Sequence, residues 1–331
     1  TGGIDGVGKV RGAITGFGSV IVNGVKFSTS GATFKIEDST GTEQELEVGD
    51  VVEVEGRIAS DGTTGTATSI SYNDAVEGPV QSIDLAGSSL VVLGQTVRVT
   101  GTTIFDDSFA VPALAGISVG EVVEVSGYPN AAGEIVATRI EPKPAGGTFE
   151  LFGVVSSLNT STFRFNLSST VVDYATATLS NGSPANGACV EVKGPVFSGG
   201  VLTASVVEVK GCNGAVANGD LGEIEGIITR FVSATDFSIG TRAITTTTST
   251  SYENGTASDL RLNIKVEAEG AFNSAGVLVA KKIEFKRETS ARLLGTVDSI
   301  DTTNTSLAIF GVTVLLDAGT SYEDKSDANQ R

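Results

Sequence analysis

Val51-Val52-Glu53-Val54-Glu55-Gly56 is a short run of β-branched and acidic residues in alternation, closed by a glycine. Alternation at period two is the mark of a strand with one buried face. The run returns as Val122-Val123-Glu124-Val125-Ser126-Gly127, as Cys189-Val190-Glu191-Val192-Lys193-Gly194, and more loosely as Lys265-Val266-Glu267-Ala268-Glu269-Gly270. A second marker opens each copy: Gly12-Ala13-Ile14, Gly78-Pro79-Val80, Gly153-Val154-Val155, Gly226-Ile227-Ile228 and Gly295-Thr296-Val297. Recurrence about every 70 residues identifies an array of small domains.

The first copy shows what one unit contains. Val20-Ile21-Val22 and Val25-Lys26-Phe27 flank Asn23-Gly24, the strongest short hairpin signal, because both turn residues need positive φ. Thr33-Phe34-Lys35-Ile36, the Val-Glu-Val strand and Ala67-Thr68-Ser69-Ile70 follow. In later units the last strand keeps a small residue and an acid in register, as Ala137/Glu141, Ala204/Glu208 and Ala280/Glu284, which suggests a close strand crossing. No helical period intervenes. The reading is all-β: a tandem array of small OB-like β-barrels, four complete units and a partial fifth, with a small sandwich as the alternative. The divisions are a leader 1–9, units 10–74, 75–144, 145–214 and 215–289, and a partial unit 290–331.

Composition narrows the chemistry. There are 22 Lys+Arg against 39 Asp+Glu, a formal charge of −17, opposite to the basic footprint that nucleic-acid binding requires. No apolar run approaches the ~18 residues of a membrane-spanning helix. With no histidine among 331 residues, Ser-His-Asp and Cys-His catalysis, imidazole metal sites and haem attachment are excluded. No catalytic, cofactor or metal residues are assigned. The glutamates Glu53, Glu124, Glu191 and Glu267 read as solvent-facing by simple alternation. Asp106-Asp107 and Ser321–Asp327 lack the pattern of a calcium loop and read as solvated. Asn-x-Ser/Thr triplets at Asn159, Asn166, Asn181, Asn254 and Asn304 occur at the frequency a Ser/Thr-rich chain gives by chance, and Thr245–Ser251 reads as a β-branched strand.

The two cysteines, Cys189 and Cys212, flank a hairpin turning at Ser198-Gly199-Gly200, which brings them within about two residues of opposite each other. A disulfide there closes about 24 residues and adds ~3 kcal/mol by chain entropy. A bridge, a lysine-poor β array and a start at Thr1 rather than methionine together point to an exported protein.

The run Gly16-Phe17-Gly18-Ser19-Val20-Ile21-Val22-Asn23-Gly24-Val25-Lys26-Phe27, with Leu46-Glu47-Val48-Gly49-Asp50 and Leu90-Val91-Val92-Leu93-Gly94-Gln95, resembles the bacterial domain-of-unknown-function family 5666. The leader Gly2-Gly3-Ile4-Asp5-Gly6 is similar to the start of such proteins after a lipoprotein-type signal. The resemblance implies export and tandem β units, and no reaction.

Counted from Gly295, the fifth Val-Glu-Val strand falls beyond Arg331. The fifth unit is thus expected to hold its first hairpin, Leu307 to Val314, without closing strands, either because the remaining residues are cleaved off, with Arg331 a trypsin-like cut, or because a neighbouring subunit completes the barrel. That leaves an apolar edge at Ile309, Phe310, Val312 and Val314. The leader, with Ile4 and Val7, belongs to no repeat and is the candidate partner. The functional expectation is a non-enzymatic, exported structural protein at the cell surface or outside the cell. It would be a subunit of a filament or surface layer assembled head to tail by strand complementation. The alternatives are a surface or periplasmic binding module and a protein that coats another fibre. The absence of tryptophan, with only 5 tyrosines, counts against a saccharide platform.

Overall fold

The computed structural model of the chain describes residues 6–286, 296–303, 305–316 and 320. In the first unit, five strands (Gly6–Gly16, Val20–Val22, Val25–Ser28, Val51–Ile58 and Thr64–Tyr72) close on themselves. The first three form a meander, with Ile14 opposite Val22 and Val20 opposite Phe27. The third runs parallel to the fifth, the fifth antiparallel to the fourth, and the fourth antiparallel to the first. That order, 1-2-3-5-4-1, is the Greek-key barrel of the OB fold. Asn23 and Gly24 hold the positive φ values of 53° and 80° that the hairpin requires.

The second unit repeats the circuit with Val76–Asp84, Ser89–Val92, Gln95–Arg98, Val122–Pro129 and Ile135–Lys143. In the third, Phe149–Asn159, Arg164–Leu167 and Thr170–Asp173 meet Cys189–Gly194 and a divided fifth strand, Val201–Thr203 and Val206–Lys210. The fourth uses Leu221–Ser233, Asp236–Ile239, Arg242–Glu253, Lys265–Phe272 and Leu278–Phe285. Thr245–Ser251 lies within the third strand of that barrel. The fifth unit shows a three-stranded meander, Val297–Asp301, Ser306–Ile309 and Val312–Leu315.

Both repeated glycine markers have a steric cause. A Cβ on Gly78 would lie 2.4 Å from Leu93, and one on Gly226 would lie 2.7 Å from Ile239, so the opening glycine is the seat of a side chain at the end of the second strand or its turn. A Cβ on Gly56, Gly127, Gly194 or Gly270 would lie 2.1–2.5 Å from a carbonyl of the fifth strand. Gly56, Gly127 and Gly270 face Ala67, Ala137 and Ala280 at a break in register, the close crossing expected from the small residues.

Two expectations need correction. Gly6–Lys9 is no separate leader: it is the start of the first barrel strand and pairs with Glu55–Ile58. Nor are the units a linear string. The free edge of that same strand pairs in parallel with the first strand of unit four, Gly8 opposite Leu221 and Arg11 opposite Ile224. The first strands of units two and three also pair, Leu151 opposite Val76. The result is one 12-stranded sheet through units one and four and one 14-stranded sheet through units two and three. Tyr128 of unit two pins the two sheets together. Its ring is buried with Val51 and Ile227, and its hydroxyl donates to Glu225 Oε1 at 2.8 Å. Arg11 and Lys265 stand over the ring.

Candidate functional site

The fourth-strand glutamates do not face water. Glu124, Glu191 and Glu267 are buried, each no more than 4% exposed, and Glu53 is half-buried. Alternation placed them correctly on the outer face of each barrel, but at Glu124 and Glu191 that face meets unit one, through Tyr72 and Asp38. Directly across from them lie Glu141, Glu208 and Glu284 of the fifth strands. Opposed like charges destabilise a sheet. A lysine two residues further along the fifth strand meets both partners in every case. Lys143 reaches Glu124 at 2.6 Å and Glu141 at 2.8 Å, Lys210 reaches Glu191 at 3.1 Å and Glu208 at 3.3 Å, and Lys286 reaches Glu267 at 2.7 Å and Glu284 at 3.1 Å. Burial raises the Glu191 and Glu267 carboxyls above their ordinary range, while the adjoining lysines lower them. Unit one has Ser71 and Asn73 at the matching positions, and Lys9 of its first strand meets Glu53 and Glu55 instead.

The clusters of units two and three gather where units one, two and three meet. The Tyr72 hydroxyl of unit one donates to Glu124 of unit two at 2.5 Å, and the Val51 amide donates to Ser126 at 2.8 Å. Arg139 of unit two pairs with Asp106 and Glu141 and donates to the Val48 carbonyl of unit one. Asp106, read as a solvated loop acid, is therefore part of an ion-pair group. Burial pushes the Asp50 carboxyl to about 8 despite Arg139 nearby. A polar recess of about 240 Å³ opens beside Arg139, lined by Glu45, Glu47, Asp106, Ser108, Glu141 and Pro142.

From unit one a tight turn, Glu37-Asp38, enters this junction. It joins Thr33–Ile36 to Ser39–Gly41, and both turn residues hold positive φ, 47° and 63°. Each side chain goes to a different acidic triad. Asp38 joins Glu191 and Glu208, and Lys210 lies among them, 2.5 Å from Asp38. Glu37 joins Asp74, in the link between units one and two, and Glu150, on the first strand of unit three. Burial, then the Glu124 and Glu150 charges, push Glu37 to about 9; burial and the Glu37 charge drive Asp74 well above its usual value. None of these residues was assigned from sequence. The signals available were the repeated Ile/Val-Glu-x-Lys ending of the fifth strands and an acidic pair standing where a turn calls for Asn-Gly.

The predicted site residues lie elsewhere. Cys189 and Cys212 form a disulfide, Cα atoms 5.1 Å apart, with Cys189 opposite Lys210 as the hairpin reading required. Ile309, Phe310, Val312 and Val314 lie on the last hairpin of unit five: Phe310 and Val312 are exposed, Ile309 and Val314 half-buried. Val7 is not a free edge, since its backbone pairs opposite Arg57. Ile4 and Ser321–Asp327 lie outside the described residues.

The profile of the family described as domain of unknown function (DUF5666) matches five times, at residues 7–71, 77–141, 152–208, 225–284 and 295–330. The chain belongs to the DUF5666 family. Each DUF5666 match coincides with one strand circuit, the last with the three-stranded unit. No curated protein matches this DUF5666 chain. Among solved structures, one titled "drosophila Unr CSD456" matches with 14% identity and a TM-score of 0.18, over 65% of this chain and 99% of its own. The barrel assignment rests on strand pairing, since a likeness of that size carries no weight.

Proposed function

We propose that this DUF5666 chain is a non-enzymatic structural protein, exported to the cell surface or beyond, that joins further copies of itself into a filament or surface layer through its fifth unit. One comparison carries the reading. Val312 follows the Phe310-Gly311 turn of unit five as Val25 follows Asn23-Gly24 of unit one. Val25 is 2% exposed in its closed barrel, whereas Val312 is 49% exposed. Phe310, at 69%, and Leu315, at 75%, are exposed on the same hairpin. Covering such side chains fully stabilises by ~1.5–3 kcal/mol each, and the outer strands of the meander, which pair with no further strand among the described residues, offer main-chain partners. The occupant proposed is a second copy, donating the segment ahead of Gly6. Val7 is no longer a candidate donor, because its strand is paired on both sides. The disulfide supports an oxidising compartment, and the many ion pairs inside the acidic junction suit a scaffold.

The test is sedimentation and negative-stain microscopy of the full chain, of a form lacking residues 1–5, and of Phe310→Asp/Val312→Asp. Long assemblies of the parent chain, lost in both variants while the four barrels stay folded, are the expected result. A parent that stays monomeric at high concentration, or variants that polymerise undiminished, would overturn the proposal.

A further inference from the structure

Three candidates stand out beyond the fifth unit: the recess beside Arg139, the lysine-filled triad around Asp38, and the triad of Glu37, Asp74 and Glu150. The first holds its own guanidinium, and the second has Lys210 as its cation. The third differs.

Glu37, Asp74 and Glu150 each offer one carboxylate oxygen, all within 4.8 Å of one another, and they come from unit one, the link to unit two, and unit three. Lys193 meets Glu150 at 2.6 Å and is shared with Glu191, and Lys143 answers Glu124 and Glu141. Neither lysine bonds Glu37 or Asp74 in the contacts that define the junction. The independent observation is Asp74 itself. It is only 5% exposed, and its Oδ2 is buried without a hydrogen-bond partner; Glu37 Oε2 is in the same position. An unanswered buried carboxylate costs several kcal/mol, so such groups are found paired or on a metal.

We propose that Glu37, Asp74 and Glu150 form a calcium site that ties the first three barrels together. The donors are all hard oxygens, which selects against soft transition metals. The three carboxylates bring one oxygen each to the site, and calcium takes six to eight oxygens in irregular geometry, waters filling the remainder. Glu37 and Glu150 are only half-buried, which leaves a route for the ion and room for its waters. Magnesium, which demands a near-octahedral shell and keeps most of its water, fits this protein-walled corner less well.

The test uses the full chain with calcium chloride alone as the probe. Protein stripped with EGTA is expected to bind one tight calcium per chain by equilibrium dialysis, with Tm rising several degrees at millimolar calcium. Matched sodium chloride should not reproduce the rise. Asp74→Asn removes a repelled charge, so it is expected to fold and to raise Tm in EGTA, while abolishing the calcium response. Glu208→Gln, in the lysine-filled triad, is expected to keep that response. The proposal is overturned if calcium neither binds nor shifts Tm, if sodium chloride at equal ionic strength gives the same shift, or if Asp74→Asn responds like the parent. It does not depend on self-assembly, since monomeric protein gives the same readout.

Discussion

Carboxylates set directly opposite each other across two strands, as Glu267 and Glu284 are, repel unless a cation bridges them, and Lys286 does so from the end of the fifth strand. Removing that cation leaves Glu267, 2% exposed, without its bonded partner and with only the more distant Lys282 charge. Lys286→Ala is therefore expected to lose about 3 kcal/mol, at the low end for broken buried pairs because the lysine is partly wet. Glu124→Gln, which weakens bonds to Tyr72 and Lys143, should lose about 1–3 kcal/mol. Urea unfolding measures both; changes within ~0.5 kcal/mol, the size typical of surface sites, would place these groups in solvent after all. The acids themselves were visible in the sequence, and so was the trailing lysine at 143, 210 and 286. What alternation could not supply is the identity of the neighbour: it states that Glu124 points away from its own core, not that a second barrel stands there. The Glu37-Asp38 turn was hidden for a related reason. Non-glycine residues at positive φ cost of order 1 kcal/mol each, so local propensity argues against the conformation that the junction imposes.

At the level of elements, the barrel strands follow closely from residue pattern. Asn23-Gly24 made a hairpin, the Val-Glu-Val runs made fourth strands, and the small residues Ala137 and Ala280 marked where the fourth and fifth strands pass within touching distance. The crossing makes a sharp prediction. Gly127 is not among the residues at positive φ, so a methyl there is opposed by space, 2.5 Å from the Val136 carbonyl. Gly127→Ala is expected to lose about 1–3 kcal/mol by overpacking, whereas Gly120→Ala fails for a different reason, its positive φ of 90°. Thermal unfolding of Gly127→Ala at the parent's midpoint would contradict the crossing. The first strands were legible only in part. Gly6–Gly16 needs length enough to serve two barrels, and its opening residues, Gly6-Val7-Gly8-Lys9, carry almost no strand propensity. Their place is set by pairing on both edges, which no local pattern records.

For the whole molecule, the seam between units one and four is both a strength and a point of sensitivity. Glu223 lies in it, opposite Val10, 5% exposed and with its Oε1 unpartnered. Glu267 and Glu269 face it from the fourth strand, Lys282 from the fifth and Asn23 from unit one, and the lysine is bound to Glu269. Burial, then the two facing glutamates, raise its carboxyl to about 8. The folded chain thus holds a proton that the unfolded chain releases near its ordinary 4.5. The associated stability is fully present below that value and is lost as pH rises through about 8. Glu223→Gln is expected to be more stable than the parent at pH 9 and to flatten the fall between pH 5 and 9; equal slopes in the two proteins would remove Glu223 as the cause. The same seam sets a schedule for the nascent chain. The outer edge of Gly8–Arg11 finds its partner only at Leu221–Ile224, some 200 residues later, and at ~5–20 residues per second of synthesis that is a wait of roughly 10–40 s. During that interval the first barrel carries an open edge, and in a crowded exit route the unit four that arrives to cover it can belong to another chain. Dimers made by such an exchange would be concentration-dependent, slow to separate, and indistinguishable in local structure from the monomer.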